Sequence, residues 1–356
     1  MAACLLSAAC DSGDSATGTH PAVEHAGAGF DCAAEGQLPG SGSTAQQNAM
    51  EYWIDHYQRA CPGVQVAYNA LGSGAGVAQF LRGATRFGGT DSALDPEEIE
   101  WSADVCPGGH AIDVPMAGGP IAIGYNVSGV DELVLDAKTL AKIFDARITS
   151  WNDPDIQRLN PDARLPSLPI RAVHRSDGSG TTQNLNAYLA GAAGREWPHP
   201  VVKSWQGKGG ESASGSTAVA RQVLSQDGSI GYFELSFAAS FKISTVRIDT
   251  GASRPVGPAP KTASAGMGEA RVAGKGKDLT LEFDYGTAAA GAYPIVLITY
   301  EIVCDTGNDA ATLPALKSFL SYTASKEGQK ILPGIHYAPL PQTVADQVRE
   351  VIRTLS

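Results

Sequence analysis

Residues 175–189 read RSDGSGTTQNLNAYL, where a charged pair and a run of small residues precede a helical pattern. Leu185, Tyr188 and Leu189 recur at the spacing of one helix face. One Ser, Thr or Asp could simply cap this helix, because these side chains accept hydrogen bonds from free backbone N–H groups. A loop of bare N–H groups, hydroxyls and a guanidinium at the positive end of a helix dipole also suits a small anion. This stretch alone supports the two interpretations about equally.

The same order of strand, small-residue turn and helix occurs at two earlier places. Helical patterns follow the small residues 40–44 and the small residues 72–76. Strand-like runs precede the turns clearly at 64–71 and 170–174, and weakly, as QLP, before the first turn. A further loop, FGGTDSALDPEEIE, carries Asp91 between small residues. The repetition predicts an α/β sheet with a ligand at the carboxyl ends of its strands.

Other runs complete the outline of the chain. We predict two strands, residues 112–117 and 120–127, on either side of a Gly-Gly pair, and a third at 230–235. Residues 293–303 form a long apolar run, YPIVLITYEIV. The Gly-, Ala- and Lys-rich segment 250–280 is expected to be an irregular excursion on one domain.

Length and charge limit the classes of protein. A chain of 356 residues exceeds one ordinary core, so we expect two domains. Hydrophobic residues make up 43% and charged residues 18%, which is typical of a globular fold. The net charge of −11 argues against nucleic acid and anionic membrane surfaces as partners. It does not exclude an anionic ligand, because salt screens surface charge over about 10 Å while local dipoles act at contact distance.

The first ten residues, MAACLLSAAC, resemble the end of a bacterial lipoprotein signal with Cys10 as the acylated residue. A basic n-region and a longer apolar stretch are missing, so a truncated start and a chance resemblance both stay open. Residues 11–35 are rich in Gly, Ala and Ser, which is typical of a flexible tether. We therefore expect an exported protein that meets the membrane only through a lipid anchor.

Four cysteines remain beyond the first ten residues: Cys32, Cys61, Cys106 and Cys304. No pair has the spacing of a CxxC motif or a metal site, and an even number in an exported protein favours two disulfides over free thiols. Three pairings are possible. Cys61 ends a predicted helix and Cys106 precedes a predicted strand, so we expect Cys61–Cys106 together with Cys32–Cys304.

Several enzyme and cofactor classes find no support. The Gly-rich loops match neither a nucleotide P-loop nor a dinucleotide fingerprint, and no G-x-S-x-G elbow occurs. Ser73, Ser179 and His174 keep a serine hydrolase open, although His174 is expected to point away from its loop. The seven histidines show no ligand-like pairing. We expect no catalytic residue, metal or cofactor.

Together, the motifs resemble the phosphate-binding protein of bacterial high-affinity phosphate ABC transporters. They are RSDGSGTT, GSGSTA, LGSGAGVAQF, GGTDSAL, SWNDPDIQRLNP and GSIGYFE, in the family's order. The likeness runs from about residue 36 to the C-terminus and is especially close to actinobacterial members with YEIVCDTGN and YTASKEGQK. It implies a type II periplasmic-binding-protein fold, in which two α/β lobes joined by hinge strands close on a dehydrated phosphate.

The resemblance also implies a ligand set and a lobe division. The implied phosphate ligands are Thr44, the backbone of Ala45, Ser73, Asp91, Arg175, Ser179, Gly180 and Thr181. Asp177 would brace Arg175, and Ala45 stands where some relatives carry a large aromatic residue. Residues 36–118 with 294–356 would form one lobe and residues 119–293 the other. The protein would be a monomer that delivers phosphate to a membrane permease for import.

A signalling or adhesion protein that keeps the fold but not transport is one alternative, which the sequence does not separate from transport. Two further rival functions remain open. One is a receptor for another tetrahedral oxyanion, sulfate or molybdate. Asp91 argues against it, because a carboxylate in the pocket suits a ligand that still carries a proton. The other is a phosphatase or related hydrolase with Ser73 or Ser179 as nucleophile, which lacks a placed base and a metal cluster.

Overall fold

The computed structural model of the protein describes residues 30–268, 270–286 and 289–356. The expected lipidation site Cys10 and most of the expected tether, residues 11–35, lie outside the described residues. Within the described ranges, no helix is long and apolar enough to cross a membrane.

The described strands follow one another along the whole chain: β1 (Gly36–Gly42), β2 (Val64–Ala70), β3 (Phe87–Thr90), β4 (Ala111–Asn126), β5 (Val134–Asp136), β6 (Arg171–Arg175), β7 (Glu211–Ala213), β8 (Ser229–Glu234), β9 (Ser244–Thr245), β10 (Arg247–Asp249), β11 (Arg271–Val272), β12 (Leu281–Glu282) and β13 (Val296–Cys304).

The described α-helices lie between these strands and after the last one: α1 (Gln47–Ala60), α2 (Ser73–Leu81), α3 (Pro96–Trp101), α4 (Ala137–Phe144), α5 (Pro154–Leu159), α6 (Gly180–Tyr188), α7 (Gly215–Ser225), α8 (Leu235–Phe241), α9 (Pro260–Met267), α10 (Leu313–Thr323), α11 (Lys326–Lys330) and α12 (Gln342–Thr354). The predicted α/β class is therefore confirmed. A π-helical turn, Leu189–Ala193, continues α6.

One large mixed sheet organises the molecule, with strand order β2-β1-β3-β13-β4-β8-β6-β7 and with β9 also paired to β4. Strand β1 is parallel to β2 and β3, and β6 is parallel to β7 and β8. Strand β13 is antiparallel to β3 and β4, and β4 is antiparallel to β8. Consequently, the parallel strands of each half direct their carboxyl ends toward the middle of the molecule.

Strand β4 links the two halves of this sheet. Its residues 111–120 pair with β13, and its residues 121–126 pair with β8. We name the strands β2, β1, β3, β13 and the first part of β4 the first half-sheet. The second part of β4 with β8, β6, β7 and β9 is the second half-sheet.

The prediction of two strands around Gly118 and Gly119 is wrong, because β4 continues through both glycines. Packing explains why glycine is needed without a turn. A Cβ on Gly118 would lie 2.3 Å from Met267 Sδ, and one on Gly119 would lie 2.8 Å from Leu297 Cδ1. The two glycines therefore leave room for the side chains of Met267 and Leu297 to pack against a continuous strand.

The strand, turn and helix units occur where they are predicted. Strands β1, β2 and β6 lead into α1, α2 and α6, and β3 ends at Thr90, directly before Asp91. On α1 the predicted face is buried, with Met50, Trp53 and Tyr57 fully covered. These units bring the small-residue loops together at the carboxyl ends of the strands.

The expected disulfide pairing is wrong. The bridges join Cys32 to Cys61 and Cys106 to Cys304, each with a Cα–Cα distance of 5.4 Å. Strands β1 and β2 begin side by side, with Gly36 opposite Val64, so the residues just before them meet. Cys304 pairs with Ala111 at the start of β4, close to Cys106. Strand pairing, which spacing along the chain does not reveal, thus decides the connectivity.

The predicted excursion at residues 250–280 packs partly on the first half-sheet. Leu279 donates its backbone N–H to the carbonyl of Asp113 at 3.0 Å. Lys277 Nζ donates to the carbonyls of Asp305 and Thr354 at 3.0 and 2.8 Å. Leu279, within the segment 119–293, therefore contacts the part of strand β4 that belongs to the first half-sheet.

Candidate anion-binding site

Loops from both half-sheets meet in one buried place. The eight residues that the resemblance assigns to the ligand are all buried there: Thr44, Ala45, Ser73, Asp91, Arg175, Ser179, Gly180 and Thr181. Ser73 Oγ accepts the backbone N–H of Gly180 at 3.0 Å, and the Gly74 N–H donates to the Gly178 carbonyl at 2.9 Å. The two halves are thus closed on each other at the helix starts.

Asp91 is the centre of the hydroxyl contacts. Its Oδ2 accepts hydrogen bonds from Ser43 at 2.6 Å and Thr181 at 3.2 Å, with Ser73 Oγ at 3.5 Å. Its Oδ1 is buried and has no hydrogen-bond partner among the described residues. A buried acceptor of this kind suits a ligand that supplies a donor.

Burial raises the pKa of Asp91 to about 6, while the Ser43 hydrogen bond and the charge of Arg175 act in the opposite direction. At neutral pH the carboxylate is therefore still ionised and can only accept hydrogen bonds.

Arg175 supplies the positive charge. Its Nε donates to Asp177 Oδ1 at 2.7 Å, and a terminal nitrogen forms a second bond to Asp177 Oδ2. Its other terminal nitrogen lies 3.4 Å from Ser216 Oγ. Burial acts to raise the pKa of Asp177, but the bond and charge of Arg175 outweigh it, so that pKa is lowered. The bidentate pair therefore fixes the guanidinium in one orientation.

Thr44 and Ser216 join the half-sheets beside Arg175. Their hydroxyl oxygens are 2.9 Å apart, and Thr44 Oγ1 also accepts the backbone N–H of Ser216 at 3.1 Å. Sequence reasoning did not single out Ser216. Its signal was available, because SGST at residues 214–217 is another run of small residues, at the N-terminus of α7.

Ser43 is the second buried hydroxyl that sequence reasoning missed. It donates to Asp91 and accepts the backbone N–H of Ala45 at 2.9 Å. The Ala45 N–H therefore has a protein partner in this conformation. The carbonyl of Ala45 accepts the Tyr337 hydroxyl at 2.5 Å, which holds the loop from its other side.

Ser179 lies at the start of α6 as its N-cap. Its Oγ accepts the backbone N–H of Thr182 at 3.2 Å, so the capping interpretation holds for this residue. Its own N–H donates to the carbonyl of Lys203 at 2.9 Å. In the first turn, the N–H groups of Gly180, Thr182 and Gln183 donate to Ser73 Oγ, Ser179 Oγ and the Ser179 carbonyl.

The hydrolase alternative finds no geometric support. His174 Nδ1 contacts the carbonyl of Arg175 at 3.1 Å, and its ring stacks on Trp205 with centroids 5.0 Å apart. The imidazole is therefore engaged away from the serine loops. Across the described part of the chain, no group of three or more His, Cys, Asp and Glu side chains could hold a metal ion.

Comparison with known proteins identifies the family. The family described as PBP superfamily domain matches residues 28–327. Phosphate-binding protein PstS 3 of Mycobacterium leprae is 43% identical over 315 residues, which cover 88% of this chain and 85% of that protein. Phosphate-binding protein PstS 2 of Mycobacterium tuberculosis is 41% identical over 330 residues, covering 91% and 89%.

A solved structure supports the same fold. A high affinity periplasmic phosphate-binding protein, PfluDING, bound with phosphate, aligns with a TM-score of 0.72 at 24% identity, covering 88% of this chain and 93% of that one. The resemblance drawn from the motifs is therefore confirmed. The chain has the type II periplasmic-binding-protein fold and belongs to the PBP superfamily, within the family of the PstS phosphate-binding proteins.

Proposed function

We propose that this protein binds inorganic phosphate outside the cytoplasm, between two closing lobes, and delivers it to an ABC permease for import. The observation that carries the proposal is the pairing of two opposite charges in one buried site. Asp91 from the first half-sheet offers a free acceptor, and Arg175 from the second offers a fixed guanidinium. A phosphate that keeps one hydroxyl can donate to the first while accepting from the second.

The proposed ligands are the residues implied by the resemblance: Thr44, the backbone of Ala45, Ser73, Asp91, Arg175, Ser179, Gly180 and Thr181. Hydroxyls and backbone N–H groups supply most of the donors, which agrees with a chain of net charge −11. Asp177 would hold Arg175 in place. Ser43 and Ser216 are further candidates, because both contact members of this set.

The proposed lobes are residues 36–118 with 294–356, and residues 119–293. Strands β4 and β13 would be the hinge, since β4 belongs to both half-sheets. A ligand held by both lobes stabilises the closed form by its differential affinity. The closed lobes would be the form that the permease recognises.

The protein is a binding protein and not an enzyme, as its PstS relatives are phosphate-binding proteins. Among other oxyanions, sulfate is disfavoured because it has no proton to give to Asp91. Sites built around a specific hydrogen bond reject analogues that lack it by factors of roughly 10⁴ to 10⁵.

Calorimetry with phosphate, arsenate and sulfate at pH 7.5 tests this function. We expect phosphate to bind, arsenate to compete because it keeps its proton and shape, and sulfate to leave phosphate binding unchanged at large excess. Displacement of phosphate by an equal concentration of sulfate would exclude Asp91 from the pocket and contradict the assignment. A colorimetric phosphatase assay on the same sample should show no turnover.

We further propose that the protein is a monomer anchored to the cell membrane by a lipid on Cys10. The tether-like composition of residues 11–35 supports an anchor that leaves the lobes free. Mass spectrometry of the natively expressed protein should find a lipid-modified Cys10, and an unmodified Cys10 would remove the anchor. Light scattering in the presence of phosphate should give the mass of one chain.

A further inference from the structure

We propose that Lys203 and Glu98 form a latch that holds the lobes closed and slows the release of phosphate; this inference rests on the proposed function. Lys203 belongs to residues 119–293, and Glu98 belongs to the other proposed lobe. Lys203 Nζ lies 2.8 and 3.0 Å from the two carboxylate oxygens of Glu98. Among the described residues, this is the only ion pair that joins the two proposed lobes.

The backbone of Lys203 is tied to the anion-binding loop. Its carbonyl accepts the N–H of Ser179, the N-cap of α6, at 2.9 Å. The preceding carbonyl, of Val202, accepts Asn186 Nδ2 from the same helix at 3.2 Å. Lys203 therefore moves with the loop that carries Ser179, Gly180 and Thr181.

Glu98 is fixed on the opposite side by a capping box. Its backbone N–H donates to Asp95 Oδ1 at 2.8 Å, and its Oε2 accepts the Asp95 N–H at 3.0 Å. This arrangement holds the carboxylate at the start of α3 before Lys203 reaches it. A preorganised partner lowers the conformational entropy lost when the pair forms.

The pair is well covered, with side chains 18% and 15% exposed. An ion pair at this depth is less screened than one in open solvent. It can form only when the lobes are closed, so it lowers the free energy of that state relative to the open one. When the closed form is the less populated form of the phosphate-free protein, the ion pair increases its population. The apparent affinity for phosphate then rises by the same factor.

The test uses Lys203→Met and Glu98→Gln, each alone and combined. Gln keeps an oxygen that accepts the Asp95 N–H, so the capping box survives while the charge is lost. We expect each single variant to bind phosphate about five- to tenfold more weakly in calorimetry. Stopped-flow release should be faster by a similar factor, with the association rate changed less than twofold. The double variant should lose no more than either single one, because the two changes remove the same contact.

Two controls separate a latch from general damage. Lys142→Met removes a similar pair, Lys142 Nζ to Asp155 Oδ2 at 2.7 Å, that lies inside one proposed lobe, and it should leave release unchanged. Lys203→Arg keeps the positive charge, so this variant should release phosphate as slowly as the unmodified protein. Wild-type release rates in Lys203→Met, or additive losses in the double variant, would overturn the latch while phosphate binding itself stands. Failure of the unmodified protein to bind phosphate would overturn the proposed function, and the latch with it.

Discussion

Arg175 is buried to 2% exposure, and its charge is balanced within the same loop by Asp177. Two of its nitrogens are held by that carboxylate, and a third contacts Ser216. A guanidinium fixed in this way can offer donors to a ligand without first losing conformational entropy. The site thus contains one oriented cation and one carboxylate, Asp91, that faces it from the first half-sheet.

Replacement of Arg175 by Met should lower the phosphate affinity more than tenfold. The reason is the loss of a charged hydrogen bond, which contributes roughly 1.5–3 kcal/mol. Arg175→Lys should restore only part of the affinity, because an ammonium cannot form the bidentate pair with Asp177. Calorimetric titration with phosphate measures both effects.

Arg171→Met is the matched control on the same strand. Arg171 lies four residues earlier on β6, and its side chain is 53% exposed beside Glu211. Its loss should leave the affinity within about twofold of the unmodified protein. Wild-type affinity in Arg175→Met would place the ligand elsewhere in the molecule.

The N-termini of α2 and α6 lie close together, and this close approach depends on glycine at position 72. Gly72 precedes α2 with φ +102°, a conformation that side chains other than hydrogen rarely allow. A Cβ there would lie 2.3 Å from Asp177 Oδ2 and 3.0 Å from the Gly178 carbonyl, both in the loop that follows β6. Only glycine at position 72 therefore leaves room for the loop after Arg175 to contact the turn before α2.

Gly72→Ala should weaken phosphate binding at least tenfold, because the methyl group prevents Asp177 from reaching its closed position. It should also lower the free energy of unfolding by about 1 kcal/mol through backbone strain. Calorimetry with phosphate and thermal denaturation of the phosphate-free protein separate the two effects.

Gly129→Ala isolates the strain alone. Gly129 has φ +80°, and a Cβ there would have no atom within 4 Å. This variant should lose similar stability but keep the phosphate affinity. Equal losses of affinity in both variants would show that strain, and not the contact with Asp177, controls binding.

Buried acids make the stability of the whole molecule dependent on pH. Burial and the neighbouring Asp278 raise the pKa of Asp113 to about 8, although a bond from the Leu94 N–H opposes this. Burial likewise raises the pKa of Asp91 to about 6, and those of Glu234 and Glu301 well above their usual range. In each case the folded state binds the proton more tightly than the unfolded chain.

The free energy of unfolding of the phosphate-free protein should therefore fall as the pH rises from about 4.5 to 8. For Asp113, the loss begins above its ordinary pKa near 4 and continues to its folded pKa of about 8, because the unfolded chain releases this proton first. Thermal denaturation between pH 4.5 and 8.5 should show the midpoint falling by several degrees.

Asp113→Asn should flatten this profile, because an amide accepts the Leu94 N–H without titrating. Asp104→Asn, at an exposed position in the short 3₁₀ turn Ser102–Asp104, is the control and should keep the wild-type slope. Parallel profiles for Asp113→Asn and the unmodified protein would contradict a buried, titrating Asp113.

Local chemistry accounts for the features that were predicted before the structure. Turns of Gly, Ser and Thr before amphipathic runs predicted the starts of α1, α2 and α6, because capping and helix periodicity act within a few residues. The turn before α6 predicted a ligand loop around Arg175, the family resemblance added Asp91, and the structure brings both into one buried place. Ser216 could have been added by applying that rule once more, to the small residues at the N-terminus of α7.

Features that join distant parts of the chain were not accessible in this way. Thr44 meets Ser216 across 172 positions, and Lys203 meets Glu98 across 105. The disulfide partners follow from which strands lie side by side, and the expected pairing failed for that reason. Gly118 and Gly119 predicted a break between two strands. In the structure both lie inside β4, where the close packing of Met267 and Leu297 leaves no room for a Cβ.

The sequence by itself determined the α/β class, the family and the loops that carry the polar side chains, because helix caps, turns and apolar periods are encoded within short windows. Only the tertiary structure decided which loops face each other, which cysteines pair and which charges cross between the half-sheets. These contacts depend on strand order and on the closure of one half-sheet over the other. Neither leaves a trace in the spacing of residues along the chain, since strands of any separation can become neighbours in a sheet.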